Sequence, residues 1–223
     1  VHHMFTTGVM AWVKIFFMIT TIIVAVPTGI KIFNWIGTLY RGAISFEPPM
    51  LFALSFIVLF TIGGFTGLML GVVVADYQYQ DTYFVVGHFH HTIVSGVYFA
   101  IVAGVYYWLP KWSGRYYSFK LANWHFWLST ISVNLTFFPM YFLGLIGMPR
   151  RIPDYNIQFT DLNMLATLGA MIFGISQLIF VWIIIENAFL KKGNKASSKV
   201  WDAPKGLEWV VPSPAPHHTF MTP

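Results

Sequence analysis

Five stretches of this chain, running from about Val9 to Tyr40, Pro48 to Ala75, Thr82 to Pro110, Leu121 to Leu145 and Leu162 to Leu190, are long, apolar and nearly free of formal charge. Histidines aside, their only ionisable groups of fixed sign are Lys14, Lys31 and Glu186. About 20 apolar residues suffice to cross the hydrocarbon core of a bilayer, so each stretch can span it and several can tilt. The expected fold is all-α: a polytopic transmembrane bundle of about five helices over residues 1–190, followed by a polar tail over 191–223.

Composition agrees. The chain is 57% hydrophobic and 9% charged, against roughly 25% charged residues in a soluble domain. There is no cysteine, which excludes disulfides and thiolate metal sites, so any metal must be held by nitrogen or oxygen. The net charge of +5 comes from basic residues scattered between apolar runs, a topology pattern rather than a nucleic-acid stripe. No signal peptide is visible and the chain opens on Val1-His2-His3, which reads as a mature or truncated piece.

The connectors hold the turn and charge signals: Arg41-Gly42 with Glu47-Pro48-Pro49, the Asp76 to Asp81 stretch, Lys111 to Lys120, and Met148 to Asp154. The tail starts at Lys191-Lys192-Gly193, turns Pro-rich and is expected to lack regular structure. If the helices alternate, nine basic residues (Arg41, Lys111, Arg115, Lys120, Lys191, Lys192, Lys195, Lys199 and Lys205) share one side against three (Lys14, Arg150 and Arg151) on the other. The richer side is expected to face the cytoplasm or its organellar equivalent. Trp12, Trp35, Trp108, Trp112, Trp124 and Trp127 lie near span ends, as interfacial belts require.

Titratable groups within a span are costly, so function is the default hypothesis for each. In Gly87-His88-Phe89-His90-His91, a helix puts His88 and His90 about 200° apart. Two such imidazoles cannot chelate one metal, but each can ligate its own haem, one on either flank; hydrogen bonding to neighbouring helices is the plain alternative. His91, only about 100° from His90, is assigned to packing. His2-His3 can reach one metal ion, for which imidazole suits copper, iron or zinc, with a further ligand from elsewhere. A second dipeptide, His217-His218, reads as solvated tail. Lys31 follows Pro27, Thr28 and Gly29, where a helix is expected to carry a hydrated defect. Thr28 and Lys31 share a face, which fits a proton path; snorkelling of Lys31 past Trp35 to water accounts for it equally well.

The series His2-His3-Met4-Phe5-Thr6, Pro27-Thr28-Gly29-Ile30-Lys31, Asp81-Thr82-Tyr83-Phe84-Val85-Val86-Gly87-His88-Phe89-His90, Gly147-Met148-Pro149-Arg150-Arg151 and Leu207-Glu208-Trp209 with His218-Thr219-Phe220 resembles the C-terminal half of subunit I of haem-copper terminal oxidases. The cytochrome c oxidase type with a lysine proton channel fits best, and the resemblance covers essentially the whole chain. It implies that His2 and His3 bind the active-site copper, that His88 holds the high-spin haem and that His90 holds the low-spin haem. Lys31 and Thr28 then belong to the proton channel. Arg150, Arg151 and Asp76 contact haem propionates, for which adjacent guanidiniums offer charge-assisted hydrogen bonds. Asp81 either ligates a magnesium ion or caps the following helix. The cofactors implied are two haems and copper, with magnesium in addition if Asp81 ligates it.

Two departures stand out. Gln80 occupies the place of a usual histidine, which weakens the magnesium assignment. The third copper ligand, the second low-spin haem ligand and the other proton channel belong to upstream helices, so the chain is expected to act within a twelve-helix subunit by pairing with an N-terminal portion of about seven helices. Other implied partners are a copper-bearing subunit II, subunit III, cytochrome c or quinol as electron donor, and membrane lipid, with no nucleic acid. The implied location is a bacterial cytoplasmic membrane or the mitochondrial inner membrane. A quinol oxidase of the same superfamily is the nearest competing assignment, a nitric oxide reductase a more distant one. A non-catalytic assembly subunit or transporter is the alternative from another class.

Overall fold

The computed structural model describes residues 2–202 and 205–220. Among these residues the fold is helical throughout, with two isolated β-bridges, Thr82 to Pro149 and Arg115 to Lys195, and no strand. A backbone in hydrocarbon must satisfy its own polar groups, and a helix does so within one segment. Five helical spans follow in an up-and-down order: Ala11–Leu39, Pro48–Gly71, Tyr83–Ser113, Phe119–Leu145 and Ile157–Phe189.

The first two spans are α1 (Ala11–Leu39) and α2 (Pro48–Gly71). Helix α1 runs through Pro27 without interruption, where the sequence suggests a local defect. Pro48 and Pro49 open α2, positions at which the missing amide costs nothing. The stretch from Asp76 to Asp81, expected as a connector, is mostly helix: α3 (Val73–Tyr79) continues from α2 across an extended Val72. Lys14 Nζ donates to Tyr77 Oη at 3.3 Å and ties α1 to α3.

The third span joins α4 (Tyr83–Ile93) to α5 (Ala100–Ser113) through a π-helical turn at Val94–Phe99. Such a turn re-aims the helix faces on either side of it. Gly114, at φ 74°, ends α5 in the left-handed conformation that glycine adopts most readily. Next come α6 (Phe119–Leu145), capped by the Ser118 hydroxyl, and α7 (Thr160–Ile184), which extends through a π-helical turn at Ile185–Phe189. At Gly169 of α7 a side chain would meet Thr136 N at 2.6 Å; a small residue there permits the close helix approach on which membrane packing depends.

The core lies between α2, α5, α6 and α7 and includes Phe52, Phe99, Tyr106, Phe126, Val133 and Ile183. A second, smaller cluster of Leu143, Met148 and Phe159 packs under the loop after α6. By contrast α1 has no buried residue, with Phe33 74% exposed. An apolar surface of that kind faces lipid or further helices.

The tail is irregular but docked. Trp201 donates from Nε1 to the Tyr107 carbonyl at 2.9 Å, Trp209 stacks on Trp108 at 5.2 Å, and Val200 and Val211 are buried. Lys111 Nζ donates to the Ser198 carbonyl at 3.0 Å and the Val211 carbonyl at 2.7 Å. Aromatic burial and a desolvated ammonium thus hold a segment whose polar composition suggests a free tail, while His217 and His218 remain exposed.

Candidate functional site

A cavity of about 450 Å³ opens between α1 and α2. His2, His3, Thr21, Asp76 and His88 line one end, and Thr28, Gly29, Ile32 and Phe33 of α1 line the other. Thr21 and Thr28 are seven residues apart, roughly 10 Å along the helix. Four sequence-predicted site residues therefore meet at one end of a crevice that passes Thr28 and reaches Ile32 and Phe33 of α1.

The histidine pair is convergent. His2 Nε2 and His3 Nε2 lie 2.9 Å apart, and His2 Nδ1 is 3.2 Å from the Thr21 hydroxyl. Burial is the main cause lowering both imidazoles below the usual histidine range, followed for His2 by the charge of His3. Lowered values favour the neutral, metal-binding form.

His88 donates from Nδ1 to the Gly63 carbonyl at 2.9 Å, with the Thr66 hydroxyl 3.1 Å from the same nitrogen. Nε2 keeps its lone pair as a consequence. Gly67 makes room for the ring: a Cβ there would sit 2.7 Å from His88 Cε1. His90 donates from Nδ1 to the carbonyl of Val86 in its own helix at 2.8 Å and stacks on Phe137 of α6 at 4.8 Å. The two histidines thus use opposite flanks of α4, each with Nε2 free of hydrogen bonds among the described residues, as helical spacing requires. His91 is fully buried, stacks on Tyr141 and has Nδ1 3.1 Å from its hydroxyl, a packing role. The Tyr141 hydroxyl also reaches the Thr66 hydroxyl at 3.3 Å, which links His91 to the His88 side.

Asp76 is 1% exposed, and its Oδ2 has no partner among the described residues. Burial, with a smaller contribution from the charge of Asp81, raises its carboxyl to about 6. Asp81 does not cap the following helix: it turns the chain at φ 56°, and Thr82 accepts from Phe84 N at 3.3 Å as the cap. Its Oδ1 instead accepts from Arg150 Nε at 3.0 Å. Arg151, at φ 62°, is exposed. Lys31 lies almost one turn beyond Thr28, exposed and outside the cavity lining, while Thr28 donates to its own helix at the Val24 carbonyl.

Sequence reasoning missed Gly63, Thr66 and Gly67, which seat His88, and Tyr141, which bonds Thr66 and His91. Their one signal is the small residues at Gly63, Gly64 and Gly67 in an otherwise bulky span. It also missed His125, fully buried with the Tyr106 hydroxyl 2.8 Å from Nδ1 and the Tyr98 hydroxyl 3.0 Å from Nε2. That cluster joins α6 to the third span, away from the cavity.

The chain resembles known proteins over most of its length. A family model described as cytochrome c and quinol oxidase polypeptide I matches residues 1–172. Cytochrome c oxidase subunit 1 of a Synechocystis strain is 49% identical over 213 residues, covering 96% of this chain and 38% of the relative. Quinol oxidase subunit 1 of Bacillus spizizenii is 46% identical over 219 residues, covering 97% and 34% respectively. Cytochrome c oxidase subunit 1 of Cereibacter sphaeroides is 44% identical over 221 residues, covering 98% and 39%. A cryo-EM structure of a heme-copper terminal oxidase dimer shares the fold at TM-score 0.76 and 23% identity, over 87% of this chain and 40% of that one. The chain spans between a third and two fifths of the length of these relatives. With five apolar spans and a family match over most of its residues, this multi-pass membrane chain belongs to the cytochrome c and quinol oxidase polypeptide I family.

Proposed function

We propose that this chain carries the oxygen-reducing centre of a respiratory haem-copper oxidase, acting with an N-terminal seven-helix portion, a copper-bearing subunit II and subunit III. The observation that carries the proposal is the convergence of His2, His3 and His88 on one cavity while His90 presents the opposite flank of the same helix.

The residues fit a haem and a copper ion. Imidazole nitrogens bound to one metal at about 2 Å lie roughly 3 Å apart, and those of His2 and His3 are 2.9 Å apart. His88 and His90 offer free Nε2 atoms, and the unpartnered Oδ2 of Asp76 suits a propionate. The fit does not extend to magnesium. That ion is held by one or two carboxylates with waters completing its octahedron, whereas Asp81, the carboxylate assigned to it, is paired with Arg150. No step is assigned through it.

When bound, the haem iron and copper supply the four-electron chemistry that reduces oxygen to water. The chain's own residues do the rest. His88 would hold the high-spin haem, with the Gly63 carbonyl orienting its ring and raising its basicity as a ligand. His90 would hold the low-spin haem, so that one helix would carry a ligand for each group. Arg150, oriented by Asp81, and Arg151 would bind propionates, and Asp76, whose carboxyl is raised by burial, would donate to one when protonated. Lys31 and Thr28 pass protons from the Lys111 side towards the cavity. Uptake from that side makes the reaction electrogenic, and further protons are pumped. Cytochrome c is the donor, as in the name of the 49% identical relative; a quinol donor is supported by the Bacillus relative at 46%. Steady-state oxidation of each donor by the intact complex separates the two. The central test is a reduced-minus-oxidised spectrum of the purified complex: His88→Ala and His90→Ala should each remove one haem signal. A spectrum that both variants leave unchanged would overturn the proposal.

A further inference from the structure

Among the described residues, two hydrogen bonds tie residues 2–7 to the rest of the chain. One joins the His2 ring to Thr21, and the other runs from Gln80 Nε2 to the main-chain carbonyl of His3 at 2.8 Å. The first can orient one ring; the second is the hydrogen bond that holds the backbone from which both rings project, beside the buried Phe5 side chain that anchors the segment two residues on.

Gln80 is well placed to hold it. Its amide N–H closes the last turn of α3 on the Asp76 carbonyl at 2.7 Å. The next residue, Asp81, is locked twice to Arg150: its carbonyl accepts Arg150 N at 2.9 Å and its carboxylate accepts Arg150 Nε at 3.0 Å. The Gln80 side chain therefore starts from a backbone fixed on both sides and loses little further freedom on bonding. Its donor points at a carbonyl, so the amide nitrogen is committed to protein rather than to an ion.

We propose that Gln80 is a positioning residue for the His2–His3 pair, tethering the His3 carbonyl to the α3–α4 corner so that both imidazoles stay aimed at one metal ion. This rests on the copper assignment above. A chain break between the pair and its support would let the two nitrogens separate, and supports of this kind are typically worth about 10–100-fold in metal affinity.

The test uses the whole purified complex and measures copper and haem together, with the reduced-minus-oxidised spectrum as a second readout. Gln80→Met keeps side-chain volume and removes the donor; Gln80→His restores an N–H of similar reach. The expected result is at least about a tenfold loss of copper affinity against a chelator in Gln80→Met, with haem content and the low-spin haem spectrum unchanged and copper retention recovered in Gln80→His. Unaltered copper retention in Gln80→Met would overturn the proposal. So would joint loss of copper and both haems, which signifies collapse of the corner rather than misplacement of the pair. A wild-type complex without copper would instead refute the underlying functional assignment.

Discussion

His88 and His90 are two residues apart on α4 yet pack against different helices, the first bonded to Gly63 of α2 and the second stacked on Phe137 of α6. One helix thus separates two ligand environments. The His88 side is the more constrained, because its ring is held by a carbonyl and a hydroxyl and pressed against a glycine.

That contact gives a selective prediction. Gly67→Ala adds a methyl group 2.7 Å from His88 Cε1, inside van der Waals contact, and overpacking of this kind costs about 1–3 kcal/mol. The ring must turn, taking Nε2 with it. Difference spectra of the complex should show loss of the high-spin haem signal with the low-spin signal retained. Equal loss of both would contradict the division of the two flanks.

Asp76 predicts a pH dependence whose sign follows from its raised carboxyl. With a folded value of about 6 against 3.8 for the free side chain, the folded state binds the proton more tightly. Stability is therefore greatest below the unfolded value and falls as pH rises from about 4 through about 6, by about 2–3 kcal/mol in the apoprotein. Asp76→Asn should remove this slope. Thermal unfolding of haem-free complex between pH 4 and pH 8 measures it, and an identical slope in the variant would show that another group is responsible.

The five spans were legible because lipid demands long apolar runs, and the opposite flanks of His88 and His90 because helical periodicity is rigid. What could not be read is whatever depends on which helices touch. Thr66 and Tyr141 look like ordinary span residues until α2 and α6 bring them to α4. His125 lacked any local motif, and the cap offered to Asp81 as an alternative role falls to Thr82, because both residue types cap helices. The docking of the tail was hidden for a related reason: Trp201 and Trp209 bury their rings in a segment otherwise rich in Lys, Pro and Ser.

Lys31 is exposed and outside the cavity lining, while its neighbour Ile32 is part of that lining, and its side chain has the length to swing towards the cavity. If it delivers protons there, Lys31→Met should slow reduction of the high-spin haem by an order of magnitude or more while the low-spin haem is reduced normally, since only the first step needs charge compensation. Stopped-flow spectroscopy of the anaerobic complex distinguishes the two signals. Normal turnover in the variant would leave snorkelling as the role of the lysine.

Lys111 is 6% exposed, yet its ammonium has two carbonyl acceptors from separate parts of the tail and lies 5.7 Å from the centre of the Trp209 ring. Lys111→Met keeps the stem and removes the donor, leaving the Ser198 and Val211 carbonyls without that partner at about 1–3 kcal/mol in total. Because the contacts join only the tail to the Lys111 end of α5, the cost should appear as local release rather than unfolding of the bundle. Limited proteolysis should cut the tail about tenfold faster or more, and haem spectra should stay unchanged. Wild-type cleavage rates would show that the remaining contacts, the Trp201 and Trp209 rings and the Arg115–Lys195 bridge among them, suffice to hold the tail.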